Sequence, residues 1–261
     1  VSADATVAWL SVAPVKSLRL QSMDHLRLDR FGARGDRRFA IVDEHGHLVN
    51  AKRLPALLQV IADVTGSRLT LRFPDGGEAV GEPGRGAAAT MVAYGEDRPV
   101  HVVDGPWSQA LSEWAGTHLR LVEPDEGDGV DRRREAGVSL LSVASVQWLS
   151  RAAGRDGIDA RRFRMTVGVD GVEAFEEERW MERLVDVGSA AVRVHGNIGR
   201  CSVTTLDPDH GVVDLQTLHV LKRNRDDVAS TEPLPLGVWA EVIEPGDIRI
   251  GDPVRLRAPA P

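Results

Sequence analysis

The apolar residues of this chain arrive in short runs with turn residues between them, and that spacing limits the fold more than any other feature. Runs of this length cannot make long helices or cross a bilayer, but they suit strands that find their partners elsewhere in the chain. Residues 7–12, 23–28 and 38–42 read as strands, and Asp43-Glu44-His45-Gly46 reads as a hairpin tip leading into a further strand at 47–51. Residues 59–64 and 68–73 flank the turn Thr65-Gly66-Ser67, while the Gly/Pro-rich stretch 74–86 reads as a surface loop. After a strand at 99–103, residues 106–114 place Trp107, Ala110, Leu111 and Trp114 on one helical face, with Pro106 suited to the first turn. The charged, unpatterned segment 123–134 reads as a linker between halves.

Beyond it, a helix is expected from about Ser142, with Val146, Trp148 and Leu149 toward its buried side. Strands are expected at 165–169, 184–187, 191–195 and 202–206, a turn at 207–211, and a helix at 215–222. Two closing strands, 238–243 and 248–256, flank the turn Pro245-Gly246. The sum is a mainly β architecture with some α (α+β), and it is barrel-like.

The chain carries a formal charge of −7, which argues against a nucleic-acid partner. Its positive charge is nevertheless clustered: Lys16, Arg19, Arg34, Arg37, Arg38, Lys52 and Arg53 crowd the first fifth, and Arg161, Arg162 and Arg164 form a second knot. Such clusters are either solvated faces or a pocket for an anion such as a phosphate. No membrane span and no basic-then-apolar leader is visible, and a cytoplasmic location is expected from the scarcity of cysteine. Val1 leaves the native start open.

Cys201 is the only cysteine. It cannot close an internal disulfide, and it has no cysteine neighbours with which to build a zinc site. It is a small buried hydrophobe, a nucleophile, or the single soft ligand of a metal held otherwise by a cofactor. Arg200 precedes it, and the two share a pocket only if the strand bends there, which Gly199 permits. The Gly-x-Ser-x-Gly, Walker, His-Glu-x-x-His and Cys-x-x-Cys motifs are missing from the sequence. The histidines are scattered; His45 and His47 flank a hairpin tip, and His195 sits near Cys201 in sequence.

Several stretches then read together. Val15-Lys16-Ser17, the run Gly35-Asp36-Arg37-Arg38-Phe39-Ala40-Ile41-Val42-Asp43, and Ala51-Lys52-Arg53-Leu54-Pro55 come first. Arg162-Phe163-Arg164, Phe175-Glu176-Glu177 with Trp180, Arg200-Cys201, Asp207-Pro208 with Gly211, and Pro245-Gly246-Asp247-Ile248 before Gly251-Asp252 follow. In this order and spacing the chain resembles the MOSC family, on the side of the mitochondrial amidoxime-reducing component and its bacterial relatives. The resemblance implies an N-terminal MOSC β-barrel domain over residues 1–124 and a MOSC catalytic domain over 125–258.

It further implies a molybdenum cofactor of the molybdopterin form. Cys201 would be the protein's thiolate ligand to the metal and its catalytic residue, and Lys16, Ser17, Arg37, Arg164, Thr166 and Arg200 would hold the cofactor. Pyridoxal phosphate binding is a further family-level implication. The family's Arg-Pro-Asn is Arg164-Met165-Thr166 here, so a hydroxyl replaces an amide at Thr166. A hydroxyl pair seen in some relatives has no equivalent around Glu135-Ala136. The implied activity is reduction of small N-hydroxylated compounds, amidoximes and hydroxylamines, with electrons from a separate flavin or iron–sulfur reductase. The alternative is a molybdenum-cofactor carrier or sulfur-transfer module without turnover of its own.

Overall fold

The first strand, Thr6–Val12, is drawn into the second half of the chain. It pairs antiparallel with Val167–Asp170 on one side and with Gln21–Met23 on the other. In this computed structural model, which describes residues 5–125, 130–131 and 137–258, both strands lie in one eight-stranded sheet. Its order is Val254–Leu256, Leu184–Val187, Ala190–Gly199, Pro235–Glu244, Val138–Ser142, Val167–Asp170, Thr6–Val12, Gln21–Met23. All neighbours are antiparallel except Val138–Ser142 and Val167–Asp170. That parallel pair requires a crossover, supplied by helix Val143–Ala152. Ser142 caps this helix by accepting a hydrogen bond from the Ser145 amide at 3.0 Å.

The remaining strands form smaller sheets. Ala40–Asp43, Leu119–Pro124, Glu96–Asp104 and Gly84–Ala93 make one, and Ile61–Thr65, Arg68–Arg72 and Glu78–Gly81 another. Between them the apolar face of helix Trp107–Ala115 buries Trp107 and Leu111 against Phe39, Leu57, Leu69 and Leu71. A third small sheet joins the chain's ends: Gly246–Arg249 pairs with His25–Asp29, which pairs with Gly32–Ala33. The fold is mainly β with some α, as the spacing of the apolar runs predicts. Among the described residues no helix is long and apolar enough to cross a membrane.

Six expectations are corrected. The single strand at 23–28 is two, Gln21–Met23 and His25–Asp29, because the chain leaves one sheet for another at Asp24. Residues 47–51 make only isolated bridges, His47 to Val92 and Leu48 to Val42, before Asn50 Oδ1 accepts from the Lys52 amide and turns the chain. The stretch 74–86 contains strand Glu78–Gly81 and the start of Gly84–Ala93, joined to its predecessor by a turn in which Asp75 Oδ1 accepts from the Gly77 amide.

Residues 202–206 are not a strand. Ser202–Thr205 is a short 3₁₀ helix, because the hydroxyls of Thr204 and Thr205 fold back onto the carbonyls of Cys201 and Ser202 at 2.9 and 2.6 Å. The final strand, 248–256, is divided between two sheets: Gly251, at φ 87°, turns the chain between Gly246–Arg249 and Val254–Leu256. Of the expected linker 123–134, Glu123 and Pro124 lie in a strand, and Val130 is fully buried among Ala40, Val42, Met91 and Val122. Residues 126–129 and 132–136, with Glu135 and Ala136, lie outside the described residues.

The seam between the first strand and Val167–Asp170 is tight. Trp9 faces Gly168 across it, and a Cβ at Gly168 would come within 2.0 Å of the indole. Gly168→Ala should therefore lower stability by about 1–3 kcal/mol, the usual cost of overpacking. Urea denaturation should show a lower midpoint with an unchanged slope.

Candidate functional site

At the end of this seam the chain leaves regular structure three times, and all three departures face one cavity of about 330 Å³. Lys16 and Ser17 follow the first strand; the Lys16 amide donates to Phe39 O at 2.8 Å, and Ser17 takes φ 73°. Arg37, at φ 48°, donates its amide to Ala13 O at 2.8 Å. Arg164, at φ 55°, closes the 3₁₀ turn Ala160–Phe163 just before the paired strand begins. Left-handed backbone is uncommon in residues other than glycine and costs of order 1–3 kcal/mol at strained positions. Ser17, Arg37, Arg164 and Tyr94 (φ 56°) all line this cavity, so the strain is concentrated at it.

Cys201 and Arg200 enter from the other side of the fold. Strand Ala190–Gly199 ends at Gly199, and Cys201 is extended at φ −128° before the 3₁₀ turn that its carbonyl helps to close. The thiol is free and half-buried. The bend brings Arg200 and Cys201 into the same cavity wall. The Arg200 guanidinium is held by backbone carbonyls: Nε donates to Leu236 O at 2.8 Å and Nη1 to Phe163 O at 3.0 Å. Gly237, at φ 75°, packs beside it where a Cβ would come within 2.7 Å of Met165 Cε, 2.8 Å of Leu140 O and 3.3 Å of Arg200 Nη2. Thr166 completes the set. Its amide donates to Ser139 Oγ at 2.9 Å, and its hydroxyl lies 3.1 Å from the same oxygen.

Every residue nominated from the sequence, Lys16, Ser17, Arg37, Arg164, Thr166, Arg200 and Cys201, thus lines this one cavity. His45, His47 and His195, which the sequence did not nominate, do not line it. His45 and His47 sit at an exposed tip with ring centroids 6.3 Å apart. His195 contacts Glu241 at 3.1 Å and stacks at 5.0 Å on Trp239, which itself lines the cavity. Among the described residues no group of three His, Cys, Asp or Glu side chains converges to hold a metal ion. A metal at Cys201 would need its other ligands from a cofactor.

The charge balance of the cavity is unequal. Asp131 pairs with both Lys16 and Arg37, the latter at 3.1 Å. Burial alone would raise the Asp131 carboxyl, but the two cations hold it well below the usual carboxylate range. Burial would likewise lower Lys16 and Arg37, and their acidic partners reverse that. Asp36 accepts from the Ala13 amide at 2.7 Å and pairs with Arg37, yet burial pushes its carboxyl up. Among the described residues Arg164 and Arg200 form no ion pair.

Burial pushes Arg164 down to about 10, with the nearby charge of Arg37 adding to the shift. Burial also pushes Arg200 down to about 10, against the opposing pull of Cys201, Glu177 and Glu178. Both remain cations at neutral pH, so an anion entering the cavity relieves a desolvated excess of positive charge.

Asp131 and Ser139 were not foreseen. Ser139 reaches Thr166 through the parallel strand pairing, a contact that no local pattern signals. Asp131 lies in a charged stretch without periodicity. Asp36 was within reach, since it directly precedes Arg37 in the quoted run.

A buried clamp holds the segment after Cys201. Arg162 makes two parallel contacts of 3.0 Å with Asp214 and donates to Thr204 O and Leu206 O at 3.2 and 2.9 Å. Arg161 pairs with Asp209 at 2.6 Å, and Arg19 donates to Asp209 O at 2.8 Å, tying the same loop to the first half.

Comparison with known proteins covers nearly the whole chain. Residues 4–94 match the MOSC N-terminal beta barrel domain and residues 90–255 match the MOSC domain. The chain is 29% identical to mitochondrial amidoxime-reducing component 1 of Danio rerio, over 95% of this chain and 83% of that protein. It is 28% identical to mitochondrial amidoxime reducing component 2 of Homo sapiens, over 95% and 82%. It is 31% identical to the molybdenum cofactor sulfurase of Anopheles gambiae, over 72% of this chain but 28% of that larger protein.

Removing the clamp should loosen Cys201. Arg162→Met leaves Leu206 O without its donor and Thr204 O with only the Thr217 hydroxyl, at 2.7 Å, and should destabilise the fold by about 1–3 kcal/mol, the cost of an unsatisfied buried group. The expected outcome is a lower melting temperature together with faster alkylation of Cys201 by iodoacetamide under native conditions.

Proposed function

The chain belongs to the MOSC family, and on that footing we propose that its cavity binds a molybdenum–pterin cofactor and reduces N-hydroxylated compounds. One observation carries this reading: a single thiol and four basic side chains, Arg200 buried and Lys16, Arg37 and Arg164 half-buried, drawn from distant parts of the chain, line the same cavity. That donor set suits the group. A soft thiolate matches a soft metal centre whose other sulfurs come from the pterin, and ammonium and guanidinium groups match its phosphate.

The residues divide the work by chemistry. Cys201 offers one protein sulfur to the metal. Lys16, Arg37 and Arg164 offer N–H donors and charge to the phosphate, with the Ser17 hydroxyl beside them. Arg200, fixed by carbonyls, supplies a positive charge next to Cys201 and keeps the end of strand Ala190–Gly199 in place. Thr166 is held by Ser139 and shapes the wall, so it serves the cofactor through position rather than through a free amide.

When bound, the cofactor supplies two-electron chemistry: the N–O bond of R–NH–OH breaks, two electrons and two protons are consumed, and R–NH₂ and water leave. We read the electrons as coming from a separate redox protein, a flavin or iron–sulfur reductase. The likeness to a molybdenum cofactor sulfurase supports a second reading, in which the cavity carries the cofactor or its sulfur for another enzyme.

Expression in a host that makes the cofactor tests both readings. The expected protein contains molybdenum and pterin and converts benzamidoxime to benzamidine with a chemical reductant. Cys201→Ala should lower molybdenum retention by about 10- to 100-fold or more, as loss of a supporting group at a metal already does. Metal retained without turnover, and passed readily to an acceptor apoenzyme, would favour the carrier. Protein lacking both molybdenum and pterin would contradict both readings.

A further inference from the structure

The cavity already contains an anion of its own. Asp131 sets one carboxylate oxygen against Lys16 Nζ and the other 3.1 Å from Arg37 Nε. An ammonium and a guanidinium gripping two oxygens of one group is the pattern by which such side chains hold a phosphate. The contact is anchored: the preceding residue, Val130, is fully buried in the cluster of Ala40, Val42, Met91 and Val122. The cations are largely enclosed, with side-chain exposures of 12% for Lys16 and 19% for Arg37, while Asp131 keeps 34%. Asp131 therefore sits at the border of the cavity, between the cations and solvent. Asp36 differs, because its carboxylate is sealed at 7% exposure and tied to the Ala13 amide at 2.7 Å.

A dianionic phosphate cannot share Lys16 and Arg37 with this carboxylate without placing like charges in contact. We propose that Asp131 is a built-in competitor for the anion subsite of Lys16 and Arg37, and that it makes the site selective for a phosphate carried on a larger ligand. This inference rests on reading the cavity as a cofactor site. A free phosphate must take Lys16 and Arg37 from Asp131 and adds at most Arg164 and the Ser17 hydroxyl, so it displaces the tethered carboxylate poorly. A phosphate tethered to a pterin that also fills the cavity and meets Cys201 gains the rest of its contacts at the same time, and the carboxylate yields. Asp131 thus keeps a buried cationic pocket from filling with stray inorganic phosphate before loading.

Calorimetric titration of inorganic phosphate into the cofactor-free chain tests this. Asp131→Asn keeps the shape and removes the charge. It should bind phosphate at least about tenfold tighter than the parent, a step of 1.4 kcal/mol. Asp131→Glu, which keeps the charge, should stay near the parent. Should Asp131→Asn melt too low to titrate, Asp131→Ser carries the same expectation.

Phosphate affinity that is unchanged or weaker in the neutral variants would overturn the proposal, since Asp131 would then organise the cations rather than compete for them. Molybdenum and pterin content of the same variants, made in a cofactor-competent host, separates this inference from the functional reading. Loaded protein with unchanged phosphate affinity overturns the competition alone. Protein free of molybdenum and pterin in every variant removes the functional reading, and the titration still decides the role of Asp131.

Discussion

The antiparallel pairing of Thr6–Val12 with Val167–Asp170 is the constraint on which the site depends. Its register sets Leu10 opposite Val167, so the residues leaving the first strand emerge beside those entering the second. The Ser11 amide donates to Thr166 O at 2.9 Å and its hydroxyl to Met165 O at 2.6 Å, which carries the pairing past the ladder's end. From there Arg37 reaches across to Arg164 O at 2.9 Å, and Arg164 returns a hydrogen bond to Leu18 O at 2.8 Å. The two halves are thus laced together at the place where their cations meet. A cavity assembled in this way exists only when both ends of the chain are folded.

What the lacing assembles is electrostatically costly. Buried cations lose hydration, and those without a carboxylate regain only part of it from carbonyls. Arg200 shows the compromise: its N–H groups are satisfied by Leu236 O and Phe163 O, but its charge is not neutralised by an ion pair among the described residues. Ser17, Arg37 and Arg164 add left-handed backbone at the same place. Strain and uncompensated charge both oppose stability, and both collect where a ligand of opposite charge would be held. Local rules broken together at one cavity are the mark of a functional site rather than of the fold's own needs.

Much of this was legible in the amino-acid sequence, for identifiable reasons. The helix after Ser142 followed from its apolar face, a local signal, and the β-rich class followed from the spacing of the apolar runs. The residues of the cavity were nominated from short ordered stretches, and the fold brings them together. The failures were of another kind. The stretch Ser202-Val203-Thr204-Thr205 has the β-branched composition of a strand, yet its threonine hydroxyls turn it into 3₁₀ helix. Strand Glu78–Gly81 hid in a Gly/Pro-rich composition. Asp24 and Gly251 mark points where the chain changes sheets, an event decided by partners some 220 residues away in the pairing of Arg27 with Asp247. Asp131 has no local pattern at all; its role comes from where Val130 is anchored.

The central claim is that Cys201 gives the metal its one protein sulfur while the cations of both halves hold the rest of the cofactor. X-ray absorption at the molybdenum edge of the loaded protein, compared with Cys201→Ser, tests it most directly. The account predicts that the sulfur shell around molybdenum loses one scatterer in the variant, with the pterin sulfurs retained. An identical sulfur shell in the two proteins would contradict it.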